Sequence, residues 1–315
     1  MRPLRIGTRG SPLALWQARA VAAALADRGT ASELVTISTG GDQKPAAPLE
    51  TIGGKGVFVR EISDALLGGH VDLAVHSAKD MSAVPPGGLT IAAVLPREDP
   101  RDALVLRGTP GSGGPAQLSG TRFPAAGLLA GETRIGTGSP RRMSQLRRFL
   151  PAARFESIRG NVDTRLRKLD AGEADALVLA CAGLRRLGLA GRITAAIAVI
   201  DCVPAPGQGI IAIEVRSSDA RTAELVGRLN DPSTRAALAA EQSVVAALGG
   251  GCQLPLGAFA QVEEGGFSIR AVVASLDGRV MIESEILGDP DRPVEAGVRA
   301  ADDLMARGAR EVLNP

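Results

Sequence analysis

Short apolar runs of strand-forming residues alternate with amphipathic helical stretches through the first half of the chain, and the turns between them carry Ser, Pro and Gly. That alternation restricts the fold to α/β layers, in which helices pack on a largely parallel sheet. Leu4 to Thr8 reads as a strand. Ser11-Pro12 then opens a helix, Ser as N-cap and Pro at the first helical position, with Leu15, Trp16, Val21 and Leu25 on its apolar side and Gly29 ending it. Leu34 to Ser38 is a second strand, a helix follows from about Val57 to Leu67, and Asp72 to His76 is a third strand. This last strand runs into Ser77-Ala78-Lys79-Asp80 at its C-terminal end, the edge of an open α/β sheet where ligands sit.

Thr90 to Leu95 and Ala103 to Leu106 are further strands, separated by the charged turn Arg97-Glu98-Asp99-Pro100. Arg107 to Gly131 is rich in Gly, Pro and Ala and reads at least in part as a loop. Arg134 to Thr137, Arg154 to Ile158 and Ala174 to Ala180 then form the strands of a second α/β unit, with helices at Pro140 to Phe149 and Val162 to Leu169. Ile210 to Val215 is a late strand that can return to the first sheet. After Asp231-Pro232 come a helix (about Thr234 to Leu248), the loop Gly249-Gly250-Gly251-Cys252, three strands and a last helix from Val294 to Arg307, a small α+β domain. At 315 residues the chain is long enough for such a set of separate cores.

The formal charge of +2 hides a strong asymmetry. Of the 36 basic residues only four are Lys, and between Arg134 and Arg192 there are 13 basic and 5 acidic side chains, a local +8 against −6 elsewhere. Guanidinium groups grip carboxylates or phosphates through paired hydrogen bonds, so the block points to a ligand bearing several anionic groups. With one Trp, six Phe and no Tyr, rings for stacking bases are scarce, which argues against single-stranded nucleic acid as the ligand. Cys181, Cys202 and Cys252 lie far apart and only His70 and His76 accompany them, so no metal is expected. No apolar run approaches 18 residues and no secretory signal opens the chain, so a cytoplasmic protein that meets no membrane is expected, with its thiols free.

Several residues sit where chemistry is done. Arg141 and Arg142 follow Ser139-Pro140 at a helix N-terminus, and Arg159-Gly160-Asn161 repeats the strand, glycine, helix geometry ahead of Arg165, so two anion-binding turns stand side by side. Arg147, Arg148 and Arg167 read as a solvated helix face. Asp80, beside Lys79 at a strand terminus, is the candidate catalytic carboxylate, with a turn-capping Asp as the bland alternative. Gly53-Gly54-Lys55-Gly56 lacks the spacing of a phosphate loop and reads as a hinge delivering Lys55 and Phe58 to a cleft, or as a surface turn. Cys252 lies on a glycine loop open to approach and suits a nucleophile or attachment point, whereas Cys181 and Cys202, in apolar strand-like stretches, read as inert. His76 reads as a hydrogen-bonded core residue.

The motifs Thr8-Arg9-Gly10-Ser11-Pro12-Leu13-Ala14-Leu15-Trp16-Gln17, Gly53-Gly54-Lys55-Gly56-Val57-Phe58, His76-Ser77-Ala78-Lys79-Asp80, Arg97-Glu98-Asp99-Pro100-Arg101-Asp102, Ser139-Pro140-Arg141-Arg142, Arg159-Gly160-Asn161-Val162-Asp163-Thr164-Arg165 and Gly250-Gly251-Cys252-Gln253-Leu254-Pro255 together resemble the porphobilinogen deaminase, or hydroxymethylbilane synthase, family over almost the whole chain. The resemblance implies an enzyme that joins four porphobilinogen molecules head to tail with loss of ammonia, on a dipyrromethane cofactor bound through a thioether to Cys252. It implies Asp80 and Lys79 as catalytic residues, with Asp80 stabilising the cationic azafulvene formed when ammonia leaves. Cofactor binding falls to Asp80, Lys79, Ser77, Ser139, Arg141, Arg142 and Arg159, and substrate binding to Arg9, Ser11, Arg159, Arg165, Arg186, Lys55 and Phe58.

The resemblance further implies two α/β lobes like those of a periplasmic binding protein (1–97 with 206–226, and 98–205), a small α+β C-terminal domain (227–315), a monomer, and hand-over of product to a uroporphyrinogen III synthase. Ser82, Gly249 and the loose stretch near 108–118 depart from the family pattern at positions with no assigned role. Two other classes stay in view. A binding protein of the same two-lobed shape would capture an oligoanion without needing Cys252, and a nucleic-acid binder would use the basic block in a salt-sensitive way.

Overall fold

The computed structural model describes residues 2–38, 59–108, 129, 131–249, 254–263 and 266–313. These residues form three sheets, in the α/β class expected with a smaller α+β unit at the C-terminal end. The first lobe begins with β1 (Leu4–Thr8), α1 (Pro12–Ala26), β2 (Ser32–Thr36), α2 (Arg60–Leu67), β3 (Leu73–Ser77) and β4 (Leu89–Val94). The second holds β5 (Asp102–Leu106), β6 (Arg134–Gly136), α3 (Pro140–Leu146), β7 (Arg154–Glu156), α4 (Val162–Asp170), β8 (Ala176–Ala180), α5 (Cys181–Arg186) and β9 (Ala195–Ile197). The chain returns to the first lobe through β10 (Ile211–Arg216) and α6 (Ala220–Gly227), then enters the C-terminal unit: α7 (Pro232–Ala247), β11 (Leu256–Glu263), β12 (Gly266–Ala274), β13 (Met281–Gly288), α8 (Pro293–Ala306) and α9 (Ala309–Leu313).

The two lobes are built on one plan. The first sheet runs β2-β1-β3-β10-β4 and the second β7-β6-β8-β5-β9. In each, three parallel strands meet one antiparallel strand, β10 or β5, which the chain supplies as it crosses between lobes. β3, Leu-Ala-Val-His-Ser, is buried on both faces, as its apolar run requires of a central strand. The two crossing segments touch where Glu98 N–H donates to Gly209 O at 3.1 Å. Gly209 has φ +87°, and a Cβ there would collide with the Glu98 carbonyl oxygen, so this contact admits only glycine.

The C-terminal unit is an antiparallel meander with α7 and α8 on one face, over a core that includes Phe267, Ile269, Val273, Val244 and Leu304. Gly297 brings α8 hard against α7, because a Cβ there would overlap Ser243 Oγ and the Ala240 carbonyl oxygen. On the other face Phe259 and Val272 pack on Val203, between the second lobe and the return strand. Glu241 of α7 is completely buried and fully engaged. It accepts from Arg97 Nη1 (2.6 Å), Gly207 N–H (2.6 Å) and Ala260 N–H (2.8 Å), while Arg97 Nε donates to Gln208 O at 2.9 Å. Arg97, the first residue of the charged turn between β4 and β5, is the pin that joins both crossing segments to the C-terminal unit.

Other expectations need correction for physical reasons. Cys181 heads a helix and does not extend β8; a short apolar run cannot by its period distinguish strand from helix. Cys202 lies beyond β9 in a turn, and burial pushes both thiols up to about 12, so they are inert as expected. Trp16 is 39% exposed, since the buried stripe of α1 is Gln17, Ala18, Val21 and Leu25. Asp72 precedes β3 and pairs with Arg2 and Arg5 at 2.7 and 3.1 Å. α3 stops at Leu146, and Arg148 beyond it is no solvated helix residue: it pairs with Glu283 of β13 at 2.9 Å and donates to the carbonyls of Ile200 and Asp201.

Candidate active site

Between the lobes lies a cavity of about 290 Å³. From the first lobe, the loop after β1 and the start of α1 bring Arg9, Ser11 and Gln17, and the turn after β3 brings Ser77, Lys79 and Asp80. From the second lobe come Arg142 of α3, Arg165 of α4 and Arg186 of α5. The turn after β3 is a single 3₁₀ turn, Ala78–Asp80, tied back where Ala78 N–H donates to Ile210 O at 3.0 Å. The tie is close because Gly207 lies against it: a Cβ on Gly207 would come within 2.9 Å of the Ala78 backbone. Gln17 Nε2 donates to Ser77 Oγ at 2.8 Å and fixes that hydroxyl at the cavity wall.

Burial acts against Lys79, Arg165 and Arg186 in the cavity wall, and mutual repulsion adds to it at Arg165 and Lys79. Burial, reinforced by Arg142 and Arg159, lowers Arg165 to about 10, and burial alone brings Arg186 to about 10. Burial lowers Lys79 to about 8, although Asp80 opposes the shift. Arg165 spends its Nε on Gly160 O (2.7 Å) and Arg186 one Nη on Gly209 O (2.7 Å), so each head is aimed by the backbone. The Arg186 head also lies over the Trp16 ring, 5.7 Å from its centre, a contact across the two lobes.

A second cavity, of about 340 Å³, adjoins the first and shares Lys79 and Asp80 with it. It is bounded by Met81 and Val84 of the first lobe, Ser139 and Arg141 of the second, and Gln242, Val245, Ala246 and Gly249 of the C-terminal unit. Ser139 caps α3, accepting from Arg142 N–H at 3.4 Å. Arg141 and Arg142 are buried and share one carboxylate, Asp102: Arg141 Nη1 lies 2.8 Å from its Oδ2 and Arg142 Nη2 2.7 Å from its Oδ1. Gln208 Nε2 adds a bond to Oδ1 at 2.9 Å. Burial alone would raise the Asp102 pKa; the two guanidinium groups overcome it and hold the carboxyl well below the usual carboxylate range. Two buried N–H groups beside this cavity, Arg141 Nε and Gln242 Nε2, have no hydrogen-bond partner among the described residues. Buried donors are almost always satisfied, so the donor set fits a group that brings carboxylate or carbonyl oxygens.

The structure thus gathers Arg9, Ser11, Ser77, Lys79, Asp80, Arg142, Arg165 and Arg186 around one cavity, and Lys79, Asp80, Ser139 and Arg141 around the other. Arg159 lines neither, yet lies near enough to lower the Arg165 pKa. Lys55, Phe58 and Cys252 lie outside the described residues; Gly249, three positions before Cys252, lines the second cavity. Gln17, Asp102 and Gln242 were not singled out by sequence. The available signal was a polar residue on an otherwise apolar helix stripe for the two glutamines, and the second acid of Asp99-Pro100-Arg101-Asp102 for the third. His76 is buried as expected, but its Nε2 faces Glu214 Oε2 at 3.5 Å without a hydrogen bond. Among the described residues no group of three His, Cys, Asp or Glu could hold a metal ion, and no helix is long and apolar enough to cross a membrane.

Fold and cavities define a class: a two-lobed α/β protein with two adjoining cavities lined by a Lys-Asp pair and buried arginines, and with a third unit forming part of the wall. The family model described as porphobilinogen deaminase, dipyromethane cofactor binding domain, matches residues 4–224, and the porphobilinogen deaminase C-terminal domain matches residues 236–306. The chain belongs to the porphobilinogen deaminase family, transferases of tetrapyrrole biosynthesis that carry a dipyrromethane cofactor. Porphobilinogen deaminase of Acidithiobacillus ferrooxidans is 46% identical over 312 residues, covering 98% of this chain and 97% of the relative. That of Syntrophobacter fumaroxidans is 43% identical over 314 residues, 99% of this chain and 97% of the relative. Among solved structures, the VFT2 domain of Bordetella pertussis BvgS is similar with TM-score 0.40 at 19% identity, over 76% of this chain and 90% of that one.

Proposed function

We propose that this chain joins four porphobilinogen molecules head to tail into the linear hydroxymethylbilane, and that the two adjoining cavities hold the cofactor and the incoming substrate on either side of Asp80. The observation that carries this reading is that Lys79 and Asp80 line both cavities, whereas Arg141 faces one and Arg142 the other. A carboxylate at that junction reaches groups in both. The dipyrromethane, which Cys252 would hold through a thioether, would supply the first nucleophilic pyrrole carbon, so that each addition would exchange the aminomethyl C–N bond of porphobilinogen and a pyrrole C–H for a new C–C bond and free ammonia.

Asp80 stabilises the positive charge left when ammonia departs and holds pyrrole N–H groups, and Lys79 pairs with ring carboxylates. The second cavity holds the cofactor, whose carboxylates bind Ser139 and Arg141 there and extend past Asp80 to Ser77 and Arg142 of the first, with Arg159, which lines neither cavity, adding its charge. Arg9, Ser11, Arg159, Arg165 and Arg186 bind those of the substrate, and Lys55 and Phe58 are further substrate-binding residues. The proposed domain limits are 1–97 with 206–226, 98–205 and 227–315. The enzyme works in the cytoplasm as a monomer and passes its product to a uroporphyrinogen III synthase. The intact mass of the purified protein tests the reading: an added dipyrromethane that disappears in Cys252→Ser is expected, and a bare polypeptide mass in active protein refutes it.

A further inference from the structure

Residues Gln242, Val245, Ala246 and Gly249 follow one another at helical spacing, so a single stripe of α7 and its C-terminal turn faces the second cavity. Three of the four are small or apolar. Gln242 is the polar exception, and its buried Nε2 has no hydrogen-bond partner among the described residues. The rotation of the helix is not free to relieve this. The neighbouring Glu241 is locked by Arg97, Gly207 N–H and Ala260 N–H, which fixes the face of α7 that carries Gln242. The same cavity is lined by Arg141, whose buried Nε is the other donor there without a partner among the described residues.

A buried amide left without a partner costs stability, and a chain that satisfies Glu241 with three donors next door has the means to satisfy Gln242 as well. We propose that Gln242 is a cofactor-binding residue: its side-chain amide donates to a ring carboxylate of the group held in the second cavity, which Arg141 also lines. This rests on the reading of that cavity as the cofactor site. It gives the C-terminal domain a direct grip on the cofactor in addition to the covalent tether at Cys252.

The test is a cycle of four proteins compared by thermal unfolding: the loaded wild type, loaded Gln242→Met, and the same pair carrying Cys252→Ser, with denaturing mass spectrometry recording the load of each. Methionine keeps the length of the side chain and removes its donors. In the loaded pair Gln242→Met is expected to lower the midpoint by about 2–4 °C, and in the unloaded pair to leave it level or raise it. Gln242→Glu, which sets a carboxylate against a carboxylate, is expected to lower the loaded midpoint further. An equal drop in both pairs overturns the assignment, because the amide would then serve the polypeptide itself, and no drop in either pair overturns it too. A wild type of bare polypeptide mass overturns the covalent reading first and this assignment with it.

Discussion

Asp102 is the shared counter-charge of Arg141 and Arg142. Removing it would leave two buried guanidinium groups facing each other with no counter-charge, so Asp102→Ala is expected to lose about 3–5 kcal/mol of stability, read as a lower midpoint in urea unfolding. Asp80, by contrast, lies at the junction of the cavities, and Asp80→Asn is expected to abolish turnover while porphobilinogen still binds; near-normal turnover in that variant would remove it from the reaction. Lys79 gives the site a pH signature. Its folded value of about 8 lies below the ordinary 10.5, so between those values the unfolded chain holds the extra proton, and this group's contribution to stability rises with pH through that window. Ligand affinity moves the other way. Carboxylate binding at Lys79 needs the ammonium form, so affinity for an anionic ligand, measured by calorimetric titration, is expected to fall as pH rises through about 8. The strand-end motifs that hold Lys79, Asp80 and Arg165 were legible because turn chemistry is local. Asp102 was not, since its partners Arg141, Arg142 and Gln208 stand far away along the chain.

Among elements, the parallel strands and the helices α1, α4, α7 and α8 could be read from period and caps within a few residues of their observed ends. The short α5 could not, because six residues give too little period to separate helix from strand. Residues 220–227 carried a usable signal that went unread: Asp219 accepts from Thr222 N–H at 3.0 Å and Thr222 Oγ1 at 2.8 Å, a capping pair at the start of α6. The approach of α7 and α8 through Gly297 was also invisible, since a glycine inside a helical pattern reads as a weakness until its neighbour is known. Gly297→Ala is expected to force the helices apart and cost about 1–3 kcal/mol, seen as a lowered thermal midpoint, although alanine is the better helix former.

Across the whole molecule, the concentration of arginines between Arg134 and Arg192 proves to have divided duties. Arg142, Arg165 and Arg186 face the cavity between the lobes and Arg141 its neighbour, while Arg134 and Arg192 pair with Asp175 and Asp170 away from it. Net charge alone could not distinguish these. The three units are held in register by the Arg97–Glu241 pin, and Glu241→Ala is expected to cost about 3–5 kcal/mol and to split the calorimetric unfolding peak as the C-terminal unit separates from the lobes.

The double crossing between lobes has a consequence for how the molecule comes into being. Among the described residues the one strand that pairs with β4 is β10, and β10 is also the strand that links it to β3, yet more than a hundred residues of the second lobe are translated between them. The lobe that leaves the ribosome first therefore cannot close until the second has emerged. A nascent chain halted before Ile211 is expected to expose β3 and β4 as open edges and to be cut there by protease, whereas one released after Arg216 is expected to resist. The order of synthesis is thus not the order of completion, and the Lys79-Asp80 turn takes its final position only when Ile210 arrives to hold it.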